Sequence, residues 1–227
     1  MEIVGELGVS PVELTGSTPR ALAKRVLDVV VAALLLVCLI PVLLVCALAI
    51  RLDSPGPVLF RQRRVGAGGK AFTMLKFRTM RADADPALHR AFVTAFIQGK
   101  AAPEAKQGSQ LYKLVRDPRV TRVGGWLRQS SLDELPQLWN VVRGDMSLVG
   151  PRPPLPYEVV EYSRTHLQRL AVTPGITGLW QVSGRSSTTF EEMVALDLEY
   201  IRKRSLVLDI RILLATIPAL LSTKNAH

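Results

Sequence analysis

The chain has 227 residues and a formal net charge of +10, enough for one domain of ordinary size plus a small appendage, with no need of disulfides or structural metals to fold. Both cysteines, Cys38 and Cys46, lie in an apolar run and read as small hydrophobes, and His89, His166 and His227 show neither metal-ligand spacing nor a Cys/His cluster for zinc. The charge is concentrated, with 16 Lys or Arg against 5 Asp or Glu from Arg51 to Arg128, and a basic block of this kind faces an anion: nucleic acid, anionic lipid or a diphosphate-bearing substrate.

Residues 1–19, with two prolines, three glycines and little periodicity, read as a flexible tail. From Val29 to Ile50 there are 22 residues without a charge, enough at about 1.5 Å per residue to cover a hydrocarbon core of about 30 Å. No small-residue cleavage site follows, so a secretory signal peptide is not the reading. Lys24 and Arg25 precede the run, and Arg51, Arg61, Arg63, Arg64 and Lys70 follow it, which asks for both ends on the cytoplasmic side. Pro41 removes a backbone hydrogen bond near the middle and predicts a sharp kink. A membrane-inserted helix-break-helix over 20–52 that dips into one leaflet and returns meets both constraints, with a kinked span and a buried core helix as alternatives.

Asp53-Ser54-Pro55-Gly56-Pro57 marks the exit into a domain expected over 53–227. Val58 to Arg63 and Ala71 to Met80 are strand-like and are joined by a Gly-rich turn, which predicts a hairpin. Alternation along Leu75-Lys76-Phe77-Arg78-Thr79 puts Lys76 and Arg78 on one face, either a solvated face or an anion site. Residues 82–115 read as a variable insertion, with a helix around Pro86 to Ile97 and then a loop. Asp117-Pro118 looks like an N-cap and first helical position leading towards Trp126 and Arg128. Further on, Pro174 to Gly178 is a turn and Leu179 to Arg185 a short strand ending in a turn. Thr188 with Glu191 fits a capping box opening a helix to about Arg202. Leu206 to Leu221 is apolar but carries Asp209, Arg211 and Pro218, and reads as an interfacial helix or a core helix. The fold class expected is α+β, mainly helical, with a small β-hairpin, the re-entrant N-terminal segment and amphipathic interfacial helices.

The most informative stretch runs from Ser130 to Pro154. Ser131-x-x-Glu134 fits a capping box, in which Glu134 only folds back on the backbone. The alternative is chemical: Asp133 and Glu134, about 100° apart in a helix's first turn, address one small site and are kept ionised by the positive helix end. An ionised Asp is a nucleophile and an ionised Glu can hold Mg²⁺. Arg152 stands in Gly150-Pro151-Arg152-Pro153-Pro154, where proline restricts the backbone; a pre-ordered guanidinium suits a phosphate, and a helix-capping arginine is the other reading. Two carboxylates and an arginine are what a metal-assisted phosphoryl transfer needs. There is no Walker loop and no GxGxxG after a strand.

These residues resemble the bacterial sugar transferases, the monotopic polyprenyl-phosphate phosphoglycosyl transferases that start exopolysaccharide, O-antigen and glycan-carrier assembly. The resemblance runs from about Lys24 to the C-terminus through Lys24-Arg25-x-x-Asp28, Lys76-Phe77-Arg78-Thr79-Met80, Ser131-Leu132-Asp133-Glu134-Leu135-Pro136-Gln137-Leu138, Gly150-Pro151-Arg152-Pro153 and Pro174-Gly175-Ile176-Thr177-Gly178. The chain looks like the short form of that family. It departs from the family at Ile40-Pro41, where the re-entrant helix of other members often breaks at Ser-Pro.

The resemblance implies transfer of a sugar 1-phosphate from a UDP-sugar to undecaprenyl phosphate, with release of UMP, in a ping-pong cycle. It implies Asp133 as nucleophile, Glu134 as Mg²⁺ ligand and Arg152 as phosphate holder. Lys76, Arg78 and Arg128 would contact substrate, and Gln181 and Arg185 would lie near the nucleotide. The expected setting is the bacterial inner membrane, with anionic lipid as a partner and the catalytic domain on the cytoplasmic face. Self-association is left open. Nucleic acid is not an expected partner, because the basic block lacks interleaved aromatics. The competing classes are a membrane-tethered scaffold working through 82–115 and a nucleic-acid-binding module, neither of which needs Asp133.

Overall fold

The computed structural model of the protein describes residues 19–81, 87–100, 104–106, 109–111, 117, 119–184 and 188–221. The tail expected over 1–19 lies outside the described residues apart from Pro19, where the first helix opens.

Two helices, α1 (Pro19–Cys38) and α2 (Ile40–Asp53), are bent by 62° at Leu39. Pro41 is the cause, but it sits in the first turn of α2 rather than at the break itself. Its missing N–H costs nothing there, and its fixed φ favours a new helix start. Neither helix alone is long and apolar enough to cross a membrane; together they qualify by length and composition. Leu34, Val37, Leu44, Val45, Leu48 and Leu52 point outward, while Ala32, Cys46 and Ile50 are buried against the domain. The pair is therefore apolar on both its faces, as a segment between protein and hydrocarbon must be.

The predicted hairpin forms from β1 (Leu59–Val65) and β2 (Ala71–Phe77), antiparallel with Phe60 opposite Lys76. Helix α3 (Ala87–Ile97) matches the helix read there, whereas the expected loop beyond it contains a short hairpin, β3 (Glu104–Lys106) and β4 (Ser109–Leu111). The next helix, α4 (Arg122–Ser130), starts later than expected: its N-cap is Thr121, whose hydroxyl accepts the Gly124 N–H. Asp117 is drawn away from capping because its carboxylate takes both the backbone N–H and the guanidinium of Arg119.

After α4 come a single 3₁₀ turn (Leu132–Glu134), α5 (Gln137–Arg143) and β5 (Ser147–Val149). The short helices α6 (Pro156–Val159) and α7 (Arg164–Leu167) lead into β6 (Gly175–Thr177) and α8 (Leu179–Ser183). Residues 175–177 and 179–183 thus reverse the expectation of turn then strand. Parallel pairing of β6 with β5 stabilises the extended stretch, and the Gly178 carbonyl accepts the Gln181 and Val182 N–H groups to start a helical turn. The long α9 (Phe190–Lys203) opens with a capping box, one residue later than predicted, between Thr189 and Glu192. Both threonine–glutamate pairs have the right spacing, and the sequence does not distinguish them.

Helix α10 (Leu206–Leu221) combines the two readings offered for it. Asp209 and Ile212 are buried in the domain, while Val207, Ile210, Leu214 and Ile217 are exposed. The main core gathers Ala32, Met74, Leu138, Val141, Met146, Leu148, Val149, Tyr200 and Ile212. It joins α1, β2, α5, β5, α9 and α10, so the first apolar helix and the segment that follows Asp133-Glu134 share one core.

Candidate active site

The Asp133–Glu134 pair stands on a turn between two helices. Helix α4 ends because Ser131 adopts the left-handed conformation at φ 55°, the only positive φ at a non-glycine among the described residues. Ser131 is therefore the C-cap of α4, and its side chain makes no N-cap bond. The capping-box reading of Ser131 and Glu134 is overturned. The carboxylates occupy one 3₁₀ turn rather than the first turn of an α-helix, so cationic side chains replace the helix dipole as their partners.

Glu134 Oε1 lies 2.7 Å from Lys76 Nζ on β2 and 3.5 Å from Arg152 Nη1. Burial alone would raise its pKa, but the Lys76 ammonium and the Arg152 guanidinium outweigh that and hold Glu134 low, ionised near neutrality. Asp133 is only 8% exposed. Burial raises its pKa, the Lys76 charge opposes this and the Glu134 charge adds to it, leaving Asp133 the more basic of the pair. Two adjacent carboxylates are thus driven apart in proton affinity, as expected for groups with different tasks. Lys76 carries the corresponding penalty: burial lowers its pKa, against the attraction of Glu134.

Several close backbone approaches set this geometry. The Gly150–Pro154 loop is tied on one side by Gly150 N–H to the Thr177 carbonyl and Gly175 N–H to the Pro151 carbonyl, both 2.9 Å. On the other side the Pro154 carbonyl accepts the Val65 N–H, and the Pro153 carbonyl accepts Arg64 Nη1. A Cβ on Gly175 would collide with the Gly150 backbone, so this crossing needs glycine. A Cβ on Gly124 would likewise strike the Thr79 backbone, and Thr79 Oγ1 accepts Arg128 Nε at 2.9 Å. Buried Asn140 links the two halves of the site. Its Oδ1 accepts the Leu75 N–H, and its Nδ2 donates to the Thr73 carbonyl, fixing β2 and hence Lys76 against α5.

Asp133, Glu134, Lys76 and Arg152 are brought together, with Arg128 beside Asp133 as part of the same electrostatic set. Arg78 parts from Lys76: β2 ends at Phe77, and the Arg78 guanidinium donates to the carbonyls of Ser54 and Pro55, fastening the turn below α2. Gln181 donates to the Ile176 carbonyl. Arg185 lies outside the described residues. Sequence reasoning missed Arg64, a buried arginine whose pKa burial and the Arg152 charge depress to about 10. The alternation of β1, which turns Gln62 and Arg64 inward together, was the available signal for it.

Among the described residues no three His, Cys, Asp or Glu side chains assemble into a metal cage. Mg²⁺ does not require one, since it keeps several waters and takes one or two carboxylates plus substrate phosphate oxygens. Asp133 and Glu134 fit that demand, and Glu134 Oε1 would keep its contact with Lys76 Nζ at 2.7 Å while its other oxygen faced an ion.

A carboxylate pair inside a set of cations, on a domain whose core is continuous with an apolar bent helix pair, defines a protein that handles a multiply charged anion beside an apolar phase. The chain belongs to the bacterial sugar transferase family, whose model matches residues 19–223. It is 44% identical over 248 aligned positions to the UDP-glucose:undecaprenyl-phosphate glucose-1-phosphate transferase of Caulobacter vibrioides, covering 100% of this chain and 85% of that one. It is 40% identical to the exopolysaccharide production protein ExoY of Sinorhizobium fredii, over 91% of this chain and 88% of that one. Identity is 44% to the galactosyl transferase CpsE of Streptococcus agalactiae, over 88% of this chain but 42% of that longer protein.

Proposed function

We propose that the protein transfers a sugar 1-phosphate from a UDP-sugar to undecaprenyl phosphate, releasing UMP, as the first membrane step of exopolysaccharide assembly. The observation that carries this reading is the buried Asp133 beside an ionised Glu134 whose charge is balanced by Lys76 and Arg152. A basic carboxylate in a cationic enclosure is a nucleophile suited to a phosphorus whose own oxygens are negative.

In the first half-reaction an Asp133 oxygen attacks the sugar-bearing phosphorus. The bond from that phosphorus to the bridging oxygen breaks, and its electron pair leaves with UMP. In the second, an oxygen of undecaprenyl phosphate attacks the same phosphorus and Asp133 departs as carboxylate, leaving a sugar on a lipid diphosphate. Arg152 and Arg128 hold phosphate oxygens and orient them for attack. Lys76 keeps Glu134 ionised and spreads positive charge over the developing equatorial oxygens. Glu134, with Asp133 adjacent, would hold Mg²⁺, which would supply charge neutralisation of the diphosphate and of the leaving UMP. Arg78 is assigned to structure, and Gln181 to the turn beside Gly178.

The bent apolar pair supports membrane association, since one substrate is lipid and the other is water-soluble. With Lys24 and Arg25 before it and Arg51 after it, a re-entrant path places the catalytic domain on the cytoplasmic face. Asp133→Asn is expected to abolish turnover while the protein still folds, and a UDP-sugar labelled in its β-phosphate should leave covalent label on wild type alone. Turnover by wild type with no covalent label under any quench would sink the nucleophile assignment.

A further inference from the structure

The turn that carries the chain out of α2 is bonded along its length. Arg51 Nη1 donates to the Gly56 carbonyl at 3.1 Å, the Arg78 guanidinium donates to the carbonyls of Ser54 and Pro55, and the Arg78 N–H donates to the Val58 carbonyl at 2.9 Å. The start of β1 is thereby fixed beside the end of the apolar pair. At that point lies an open cavity of about 550 Å³, lined by Pro57, Val58, Leu59, Phe60 and Arg61, a volume within the range of small-molecule sites. On α2, exposed Leu48 and Leu52 stand one turn apart on a stripe that leads to it.

Phe60 ties this cavity to the reaction site. In the β1–β2 ladder it stands directly opposite Lys76, and opposed residues of an antiparallel pair put their side chains on the same face, with Cβ atoms about 5 Å apart. Lys76 Nζ in turn lies 2.7 Å from Glu134 Oε1. The next residues on that face of β1 have protein partners: Arg64 bonds to Gln62 Oε1 and to the Pro153 carbonyl. Phe60 remains 47% exposed and is a member of none of the apolar clusters among the described residues. Core packing therefore does not account for it. A half-exposed ring beside an ion pair suits an amphipathic ligand, whose apolar part covers the ring while its charge goes to the ions.

Resting on the function proposed above, we propose that this cavity holds the phosphate-proximal isoprene units of the acceptor lipid, with Phe60 a contact residue for the first of them. A polyprenyl chain that lies in hydrocarbon beside Leu48 and Leu52 passes over Pro57, Leu59 and Phe60, and its phosphate arrives at the Lys76 end without exposing the intervening carbons to water. The phosphate is then among Lys76, Arg152 and Asp133, where its oxygen attacks in the second half-reaction. A single-chain phosphate monoester fits a groove that ends at cations. A diacyl phospholipid brings a second chain, and its headgroup, on the far side of the phosphate, would occupy the reacting position.

Two measurements on the full-length protein in lipid nanodiscs test this. A polyprenyl phosphate with a photoreactive group on its first isoprene unit should cross-link to the peptide containing Pro57–Arg61, and excess undecaprenyl phosphate, but not excess phosphatidylglycerol, should suppress the product. In half-reaction kinetics, Phe60→Ser should form the labelled phosphosugar enzyme at the wild-type rate from the UDP-sugar that wild type turns over, while its kcat/KM for undecaprenyl phosphate falls about tenfold. Phe60→Leu should recover most of that loss. Cross-links confined to other segments, equal suppression by phosphatidylglycerol, or Phe60→Ser slowing both half-reactions alike overturns the proposal. A wild type that transfers no sugar phosphate from any of a panel of UDP-sugars would instead remove the proposed function, and that result is read before any Phe60 variant is made.

Discussion

On the apolar-helix side of the site, one stretch of α1 is tied down by buried and half-buried charge. Arg25 donates to the carbonyls of Val141, Val142 and Met146 at the end of α5. Lys24 reaches Asp209 at 2.9 Å, and Asp28, 4% exposed, accepts from Ser147 Oγ and the Leu148 N–H. On the other side, α3 is held by the neutral His89–Tyr157 bond, by the Arg90 stack and by the Ile97–Phe190–Val194 cluster. Removing one member of a buried ionic network leaves its partners unpaired and costs several kcal/mol, whereas a neutral, half-buried hydrogen bond is worth about 1 kcal/mol. The chemistry is therefore referenced to the apolar helices, and the α3 side is the part whose hold responds to solution conditions.

The largest effect should come from Asp28→Ala, which leaves the buried Leu148 N–H without its acceptor and takes one carboxylate from Lys24 and one acceptor from the Ser147 hydroxyl. A loss of about 3–5 kcal/mol is expected, read as a large drop in unfolding midpoint in detergent or lipid; a loss below about 1 kcal/mol would erase the contrast between the two sides. Lys76→Met separates fold from function between them. Turnover should fall about 100-fold, with little change in the unfolding midpoint, because a buried ammonium is replaced by an apolar chain of similar length and Glu134 keeps Arg152 as its cationic partner at 3.5 Å. Parallel losses of both would make Lys76 a structural residue.

The smallest effect is the acid response of α3. His89 titrates at about 4 in the fold and near 6.5 when free, so the undocked state binds more protons between those values. The stabilisation is complete above pH 6.5 and is lost as pH falls towards 4. Hydrogen exchange along Ala87–Ile97 should accelerate at acid pH relative to α5, and His89→Gln should flatten that response. An α3 equally protected across the range would place its stability in the Phe190 cluster alone.

Much of the fold was legible because its signals are local. The uncharged run with Pro41 predicted a bent helix pair, and alternation flanking a glycine-rich turn predicted the β1–β2 hairpin. The failures occurred where a distant partner decided a local choice. Asp117 was a good N-cap by type, yet Arg119 took its carboxylate. Leu179 to Arg185 had strand composition, but β6 had already claimed the pairing with β5. Lys76 and Arg78 shared a predicted face until β2 ended at Phe77 and the carbonyls of Ser54 and Pro55 captured Arg78.

The sequence by itself determined the candidates for the chemistry: Asp133 and Glu134 side by side, an arginine restrained by prolines, and a basic block after an apolar run. Residue type and spacing are properties of the chain alone, and phosphoryl transfer requires particular ones. Only the tertiary structure decided what surrounds them. Glu134 became the partner of Lys76, 58 residues away, instead of a helix cap, and Arg64 joined the Arg152 loop through the Pro153 carbonyl from a segment with no motif of its own. The physical reason is that proton affinity and charge balance depend on burial and on groups brought within a few ångströms by the core, and sequence separation carries no information about either.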